Sequence, residues 1–182
     1  MIRILPNSFG YTWGSTSEER SAPYPCDRYL PKPDDTLFRA LTVQGSRSDV
    51  FRWLCQLRAA PYSYDWIDNR GHRSPRQLLP GLDNLAVGQR FMEIFELVDF
   101  EPNEHITLNI EHAGAKRIFG EIVCSYVVKS KSPSETRLVV KLLARRTTHR
   151  RFVWVGPLLP WGDLIMMRKQ LLTLRKLCER PL

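Results

Sequence analysis

The second half of the chain alternates between apolar and polar residues with a period of two, and a long amphipathic segment follows it. Four segments with this period are predicted to be β-strands: residues 90–100, 105–112, 117–129 and 136–146. A fifth strand is predicted at residues 151–155. The connectors between the four are short and turn-like, as hairpins require, so the strands should form an antiparallel sheet.

Helical spacing dominates the last segment, residues 161–179, which is predicted to be one long helix. Asp163 lies near its start, where a negative charge suits the helix dipole. Its apolar face is formed by Leu164, Met167, Leu171, Leu174 and Cys178. A sheet of this size must bury one face, and this helix is long and apolar enough to lie across it.

Upstream of the sheet, the pattern predicts one strand and two short helices. The strand covers residues 36–44, and the first helix begins after a cap at Ser46 or Ser48 and ends before Pro61. A second short helix is predicted at residues 75–79, with Ser74 as its cap and Pro75 in its first turn. The expected fold is therefore α+β: a curved antiparallel sheet wrapped around a C-terminal helix, with two short helices after the first strand.

One domain is expected from the length of 182 residues, and we place it at residues 36–182. Residues 1–35 show no periodicity but carry several aromatic residues, which disordered tails usually lack. They are predicted to form an extended N-terminal arm that lies against the domain and could act as a lid.

Composition narrows the classes of function. The chain has neither a signal-peptide pattern nor an apolar run long enough to span a bilayer, so we expect a cytoplasmic protein. Its four cysteines form no CxxC pair and are expected to be reduced. The four histidines are dispersed, and His105 and His112 fall at opposite ends of one predicted strand. We predict no metal site and no cofactor.

An aromatic loop follows the first predicted helix and carries the strongest local signal of a ligand site. It contains Tyr62, Tyr64, Asp65, Trp66 and Asn69. Ligand pockets combine aromatic side chains with a few polar groups, so the loop could form one wall of a pocket. The alternative is structural: the aromatic rings plug one end of the sheet, and Asp65 and Asn69 bind loop amides.

Three carboxylates are candidates for acid–base chemistry: Asp65 in the loop, and Glu93 and Glu121, each of which interrupts an apolar strand. On an outward face the two glutamates would be ordinary solvated residues. Facing inward, burial would raise their pKa values, and either could act as a general acid or base. Tyr126 and Arg145 share this ambiguity.

The element order and several local motifs resemble the START/Bet v 1-like superfamily, also called the SRPBCC or polyketide cyclase/dehydrase and lipid-transport group. The likeness is to a bacterial branch and covers residues 36–180, leaving the arm outside. Its motifs are Tyr62-Ser63-Tyr64-Asp65-Trp66 with Asn69, the Val87-Gly88 turn, Thr136-Arg137-Leu138-Val139 and the Met166-Met167 pair. The resemblance implies a hydrophobic cavity between the sheet and the final helix, but no particular reaction.

We therefore expect a carrier or sensor that binds a small hydrophobic or amphipathic molecule. The loop residues would lie at the cavity mouth, and the interior would be lined by Ile122, Cys124, Tyr126, Met167 and Leu171. One alternative is a cyclase or dehydratase that uses carboxylates in the same cavity.

The other alternative is a non-catalytic module that binds an anionic membrane or a nucleic acid through a basic face. The net charge of +8 and the arginine-rich run at residues 145–151 suggest it. Nucleic acid is disfavoured because no aromatic residues are interleaved with these arginines. Weak contact with a membrane surface is compatible with the basic final helix. The oligomeric state is left open.

Overall fold

The structure is a computed structural model, and it describes residues 9–64, 66 and 71–180. Six strands form one antiparallel sheet in the order β1-β6-β5-β4-β3-β2. They are β1 Asp35–Gln44, β2 Arg90–Phe91, β3 Phe95–Glu101, β4 His105–Ile110, β5 Glu121–Ser132 and β6 Glu135–Arg145. The helices that lie wholly within the described residues are α1 Phe9–Thr12, α2 Ser17–Ser21, α3 Arg47–Cys55, α4 Ala113–Phe119 and α5 Leu159–Cys178. Single 3₁₀ turns lie at Pro25–Arg28, Gln56–Arg58 and Gly156–Leu158.

The predicted helix-grip architecture is confirmed: a curved antiparallel sheet packs against the long helix α5. The main core lies between them, where side chains of β1, β5 and β6 meet those of α3 and α5. The first helix after β1 is also confirmed. The Ser46 hydroxyl accepts a hydrogen bond from the Asp49 amide, the N-cap interaction expected at this position.

The opposite face of the sheet is covered by residues that precede β1. Tyr24, Cys26 and Leu30 pack there against Phe38 and other side chains of the sheet. The segment predicted as an extended arm thus carries α1, α2 and a 3₁₀ turn. It wraps the β1 edge, with α1 beside α5 and the 3₁₀ turn on the outer face.

Four local predictions are wrong in detail. The strand predicted at residues 90–100 is a short hairpin, because Met92 and Glu93 adopt left-handed backbone angles that turn the chain between β2 and β3. The strand predicted from residue 117 begins only at residue 121, since α4 precedes it. His112 caps α4 by accepting a bond from the Ala115 amide, and Gly120 ends it with a positive φ of 85°.

The other two concern the segment before α5 and the second short helix. Residues 151–155 form turns rather than a fifth strand, because the amides of Phe152 and Val155 donate to carbonyls three residues back. Residues 75–79 are irregular, so the helix predicted there is absent. Helix α5 begins at Leu159, two residues earlier than predicted, with Pro160 in its first turn.

Candidate functional site

A cavity of about 460 Å³ lies between the concave face of the sheet and α5. Its size falls within the range typical of small-molecule sites. Most of the lining is apolar: Pro61, Met92, Ile94, Phe95, Phe119, Ile122, Cys124, Leu142, Val155, Leu158, Leu159, Met166 and Met167. The polar side chains in the wall are Ser63, Tyr126, Asp163 and Gln170, and Gly162 completes it. The aromatic residues that could have filled this space, Trp13 and Phe91, belong to the packed core instead.

The alternation of a β-strand and the spacing of an α-helix explain which side chains line the cavity. Alternation along β5 turns Ile122, Cys124 and Tyr126 to the concave face and Glu121 to the outer one. On α5, Asp163, Met167 and Gln170 recur at helical spacing and face the cavity, next to the core leucines of the same helix.

Tyr126 and Gln170 form a fixed polar pair in the wall. The Tyr126 hydroxyl donates to Gln170 Oε1 at 2.8 Å, and the Gln170 amide donates to the Pro61 carbonyl at 2.7 Å. Burial raises the pKa of Tyr126 well above its ordinary value, so the phenol stays neutral. The hydroxyl proton is already committed to Gln170, so its oxygen can accept a bond from a ligand but cannot act as a base.

Among the described residues, Asp163 is the one carboxylate of the cavity wall, and it faces a buried arginine. Arg39 Nη2 lies 2.7 Å from Asp163 Oδ2, with side-chain exposures of 1% and 10%. The guanidinium hydrogens point elsewhere: Nη2 donates to the carbonyls of Gly10 and Pro160, and Nη1 donates to that of Phe38. Within the described residues, Asp163 Oδ2 accepts no aligned hydrogen bond and Arg39 Nε donates none. Arg39 is thus the one described partner of this carboxylate.

Burial dominates the ionisation of this pair. It raises the pKa of Asp163 above its ordinary 3.8, and the attraction of Arg39 offsets only part of that rise. Burial also lowers the pKa of Arg39, again against the attraction of its partner. Burial raises the pKa of the Cys124 thiol well above its usual value as well. Cys124 is thus a neutral thiol in the wall and lacks the thiolate that a nucleophile needs.

The aromatic loop is placed differently from the pocket-wall prediction. Tyr62 is 1% exposed and packs edge-on against Trp53 in the main core, with their ring centres 6.3 Å apart. Tyr64 is half-buried and Trp66 is exposed, and neither lines the cavity. The loop reaches the cavity through the small neighbours Pro61 and Ser63. Asp65 and Asn69 lie outside the described residues.

The remaining predicted residues divide between the wall and the exterior. Ile122, Cys124, Tyr126 and Met167 line the cavity. Leu171 points from α5 into the packed core and is fully buried there. Glu93 sits on the exposed β2–β3 turn outside the cavity. Glu121 faces solvent on the outer side of β5 and forms an ion pair with Arg145.

Sequence reasoning missed the charged pair at the edge of the cavity. Arg39 occupies the inward row of β1 together with Leu37, Leu41 and Val43, so a polar residue in an apolar row was the available signal. Asp163 looked like a residue of the helix start, but α5 begins earlier and turns it inward. Gln170 gave a weaker signal, as a polar residue next to the apolar face of the helix.

The described residues offer neither a metal-binding cluster nor a membrane-spanning helix. Among the described residues, no group of three or more His, Cys, Asp or Glu side chains could hold a metal ion. No helix in the described part of the chain has both the length and the hydropathy that a bilayer span requires.

Solved structures share this fold at low sequence identity. A START superfamily protein from Mycobacterium smegmatis matches at a TM-score of 0.53 and 16% identity, over 79% of this chain and 97% of that one. Norcoclaurine synthase from Thalictrum flavum matches at a TM-score of 0.52 and 10% identity, over 87% of this chain and 93% of that one. A hypothetical protein from Helicobacter pylori matches at a TM-score of 0.55 and 12% identity, over 87% of this chain and 96% of that one. No protein-family model matches the sequence, and no curated protein does.

Proposed function

We propose that this protein, whose fold is Bet v 1-like, binds a small apolar or amphipathic molecule in the cavity between its sheet and α5. The observation that carries the proposal is a 460 Å³ cavity with a largely apolar wall and only a few polar side chains. Each methylene group that a ligand buries there contributes about 0.8 kcal/mol, or roughly fourfold in affinity. The fixed polar groups would set the orientation of the ligand.

Asp163 is the polar group that we assign to the ligand. Its carboxylate lies in the wall, and its one described partner, Arg39, directs its N–H groups to backbone carbonyls. The carboxylate can therefore accept a hydrogen bond from a ligand hydroxyl without giving up an existing one. A hydrogen bond to a charged group contributes about 1.5–3 kcal/mol, so ligands with a donor group should be preferred.

Displacement of a bound fluorophore tests the cavity directly. The probes are the neutral fluorophore phenylnaphthylamine and a series of straight-chain alcohols from hexanol to dodecanol. Affinity should rise about fourfold with each methylene until the cavity is full, and then stop rising. An affinity that never levels off would indicate non-specific surface binding and would contradict the proposal.

Gly162 provides a matched pair of variants for the same assay. It lies in the cavity wall on α5, and an added Cβ would meet no atom within 4 Å. Gly162→Phe should narrow the cavity and weaken displacement by the longer alcohols, whereas Gly162→Ala should bind them like the wild type. Both replacements suit a helix better than glycine, so lost binding would not reflect lost folding.

The donor preference is tested by comparing each alcohol with its methyl ether, which has no hydroxyl proton. The wild type should bind the alcohol at least about tenfold more tightly, and Asp163→Asn should lose most of that difference. Native mass spectrometry of the purified protein complements this test. A co-purifying molecule that denaturation removes would give the chemical class of the natural ligand.

A second candidate function is acid–base catalysis at Asp163. A carboxyl group with a raised pKa inside an apolar cavity is suited to exchange protons with a bound molecule. This replaces the carboxylates expected from sequence, since Glu93 and Glu121 lie outside the cavity. One structure with this fold, norcoclaurine synthase, carries the name of an enzyme.

Mass spectrometry of incubated ligands separates the two candidates. Any molecule that binds in the displacement assay is incubated with the wild type and with Asp163→Asn, and its products are measured. Conversion by the wild type that the variant loses, with binding retained, supports catalysis. If no bound molecule is converted, binding alone remains as the function.

A further inference from the structure

We infer that the surface around the cavity mouth docks onto a bilayer that carries anionic headgroups. This inference goes beyond ligand binding and does not depend on it. It rests on three observations: an exposed apolar patch, a concentration of positive charge beside it, and the continuity of that patch with the cavity wall.

The apolar patch consists of Val153, Trp154, Leu158, Trp161 and Ile165. Each of these side chains is between 45% and 62% exposed. Leu158, Trp161 and Ile165 follow helical spacing at the start of α5 and share its outer face. Trp154 is held by the preceding turns, because its indole N–H donates to the Arg151 carbonyl at 2.9 Å. Such a cluster of large exposed apolar side chains marks an interaction site.

The positive charge of the protein is concentrated in the same segment. Residues 145–178 contain eight arginines and lysines and a single acid, Asp163. Three of these cations, Arg145, Arg146 and Arg175, form ion pairs with acids outside the segment. Asp163 faces the cavity and is largely buried, so it does not offset this charge at the surface. Among the described residues, no ion pair involves Arg150, Arg151, Arg168 or Lys169, and all four are exposed.

The apolar patch continues into the cavity. Leu158 belongs to both, and Val155, Leu159 and Gly162, which lie between the patch residues in sequence, line the cavity wall. A surface that rests on the patch would therefore meet the cavity mouth.

A bilayer fits these features better than the other partners. Tryptophan prefers the membrane–water interface, where aliphatic side chains can reach the acyl chains, while lysine and arginine attract anionic headgroups. Nucleic acid would offer no apolar layer for Leu158 and Ile165. A second copy of the chain would place the same positive segment against itself, and like charges would repel.

Vesicle flotation tests the inference with the full chain. The probes are vesicles of phosphatidylcholine alone, and of three parts phosphatidylcholine to one part phosphatidylglycerol. We expect binding to the anionic vesicles that weakens as salt is added, because exposed charges are screened. Each basic residue near the surface contributes about fivefold, so Arg150→Ala/Arg151→Ala should lower vesicle binding about 25-fold. Trp154→Ser should lower it as well, while keeping the salt dependence.

Matched control variants distinguish binding through the patch from non-specific adsorption to vesicles. Val87→Ser removes an equally exposed apolar side chain outside the patch. Lys131→Ala removes a cation near the opposite end of β5 from Glu121. Both should bind anionic vesicles like the wild type. Because every replaced side chain is exposed, all variants should melt within a few degrees of the wild type.

Three results would overturn the inference. The first is equal binding to both vesicle types or to neither. The second is binding that the patch variants leave unchanged. The third is a stronger interaction of the same surface with duplex DNA, or self-association that Trp154→Ser abolishes, either of which would assign the patch to another partner. None of these results affects alcohol binding in the cavity, so the proposed function would stand or fall separately.

Discussion

Replacing Arg39 with methionine should destabilise the protein more than replacing Asp163 with asparagine, although the two side chains form one ion pair. The asymmetry follows from their other partners. Arg39 donates to the carbonyls of Phe38, Gly10 and Pro160, and so ties β1 to α1 and to the start of α5. Asp163 has only the attraction of Arg39 among its described contacts.

The expected loss of unfolding free energy differs between the two variants for this reason. Arg39→Met leaves a carboxylate in the cavity wall without a counter-charge and removes three side-chain hydrogen bonds to backbone carbonyls, which should cost about 3–5 kcal/mol of unfolding free energy. For a chain of this size, that is a fall of about 6–20 °C in melting temperature. Asp163→Asn keeps these three bonds but leaves the buried guanidinium without its counter-charge, so it should cost less, about 1–3 kcal/mol.

The pH dependence provides a second readout of the same pair. Burial raises the pKa of Asp163 above 3.8, so the folded state binds this proton more tightly than the unfolded chain does. Asp163 therefore contributes stability below pH 3.8 that is lost as the pH rises through its folded pKa. In the difference between wild type and Asp163→Asn, the wild type should gain relative stability on acidification.

Urea unfolding at a series of pH values measures both effects, with the slope of the transition as a check that two-state behaviour is kept. Arg145→Met is the matched control, since its ion pair with Glu121 is exposed and should contribute less than about 1 kcal/mol. The reasoning is refuted if Asp163→Asn loses more than about 3 kcal/mol. It is also refuted if the wild type loses stability relative to that variant on acidification, because the ion pair would then outweigh the cost of burial.

Three further predictions concern the wall, the α4–β5 junction and the thiols. Tyr126→Phe removes the hydrogen bond to Gln170 and should lower the unfolding free energy in urea by about 0.5–1.5 kcal/mol. The variant should still release the fluorophore when alcohols are added, whereas loss of all binding would show that the hydroxyl contacts the ligand. Gly120→Ala should destabilise the fold by at least about 1–3 kcal/mol, because a Cβ there would lie 2.0 Å from the Arg145 carbonyl oxygen and φ is positive. An unchanged melting temperature would contradict this geometry. Burial raises the pKa of Cys55 to about 12 and that of Cys124 well above its ordinary value, so both should resist a thiol reagent at neutral pH until the protein is unfolded; rapid labelling of the native protein would refute their burial.

Sequence periodicity was sufficient for the architecture because it reports which face of each element is apolar. The alternation in β5 and β6 and the helical repeat of α5 identified the sheet and the helix, but not which face of each strand points inward. It also named four residues of the wall in advance: Ile122, Cys124, Tyr126 and Met167. The local errors fell where turns interrupt a pattern, at residues 92–93 and 151–155, since a short stretch of chain carries too little periodicity to show a break.

The composition of the aromatic loop could not reveal which of its side chains face a cavity. A tyrosine that plugs the core and a tyrosine that lines a pocket have the same neighbours in sequence, and only packing against Trp53 distinguishes Tyr62. The same limit applied to the carboxylates. Glu121 and Asp163 both lie among apolar residues in the sequence, yet Glu121 faces solvent and Asp163 lines the cavity. In a strand, a shift of one residue in the pairing register moves every side chain to the other face.

The sequence alone determined the class of fold and the basic character of the C-terminal segment, because each is a property of residues close together in the chain. Only the tertiary structure decided that a cavity remains unfilled beside α5, and that Arg39 of β1 meets Asp163 of α5 at its edge. It also decided that Leu158 is both exposed and part of the cavity wall. These features arise where distant segments meet, and the distance between two such side chains is set by how sheet and helix pack.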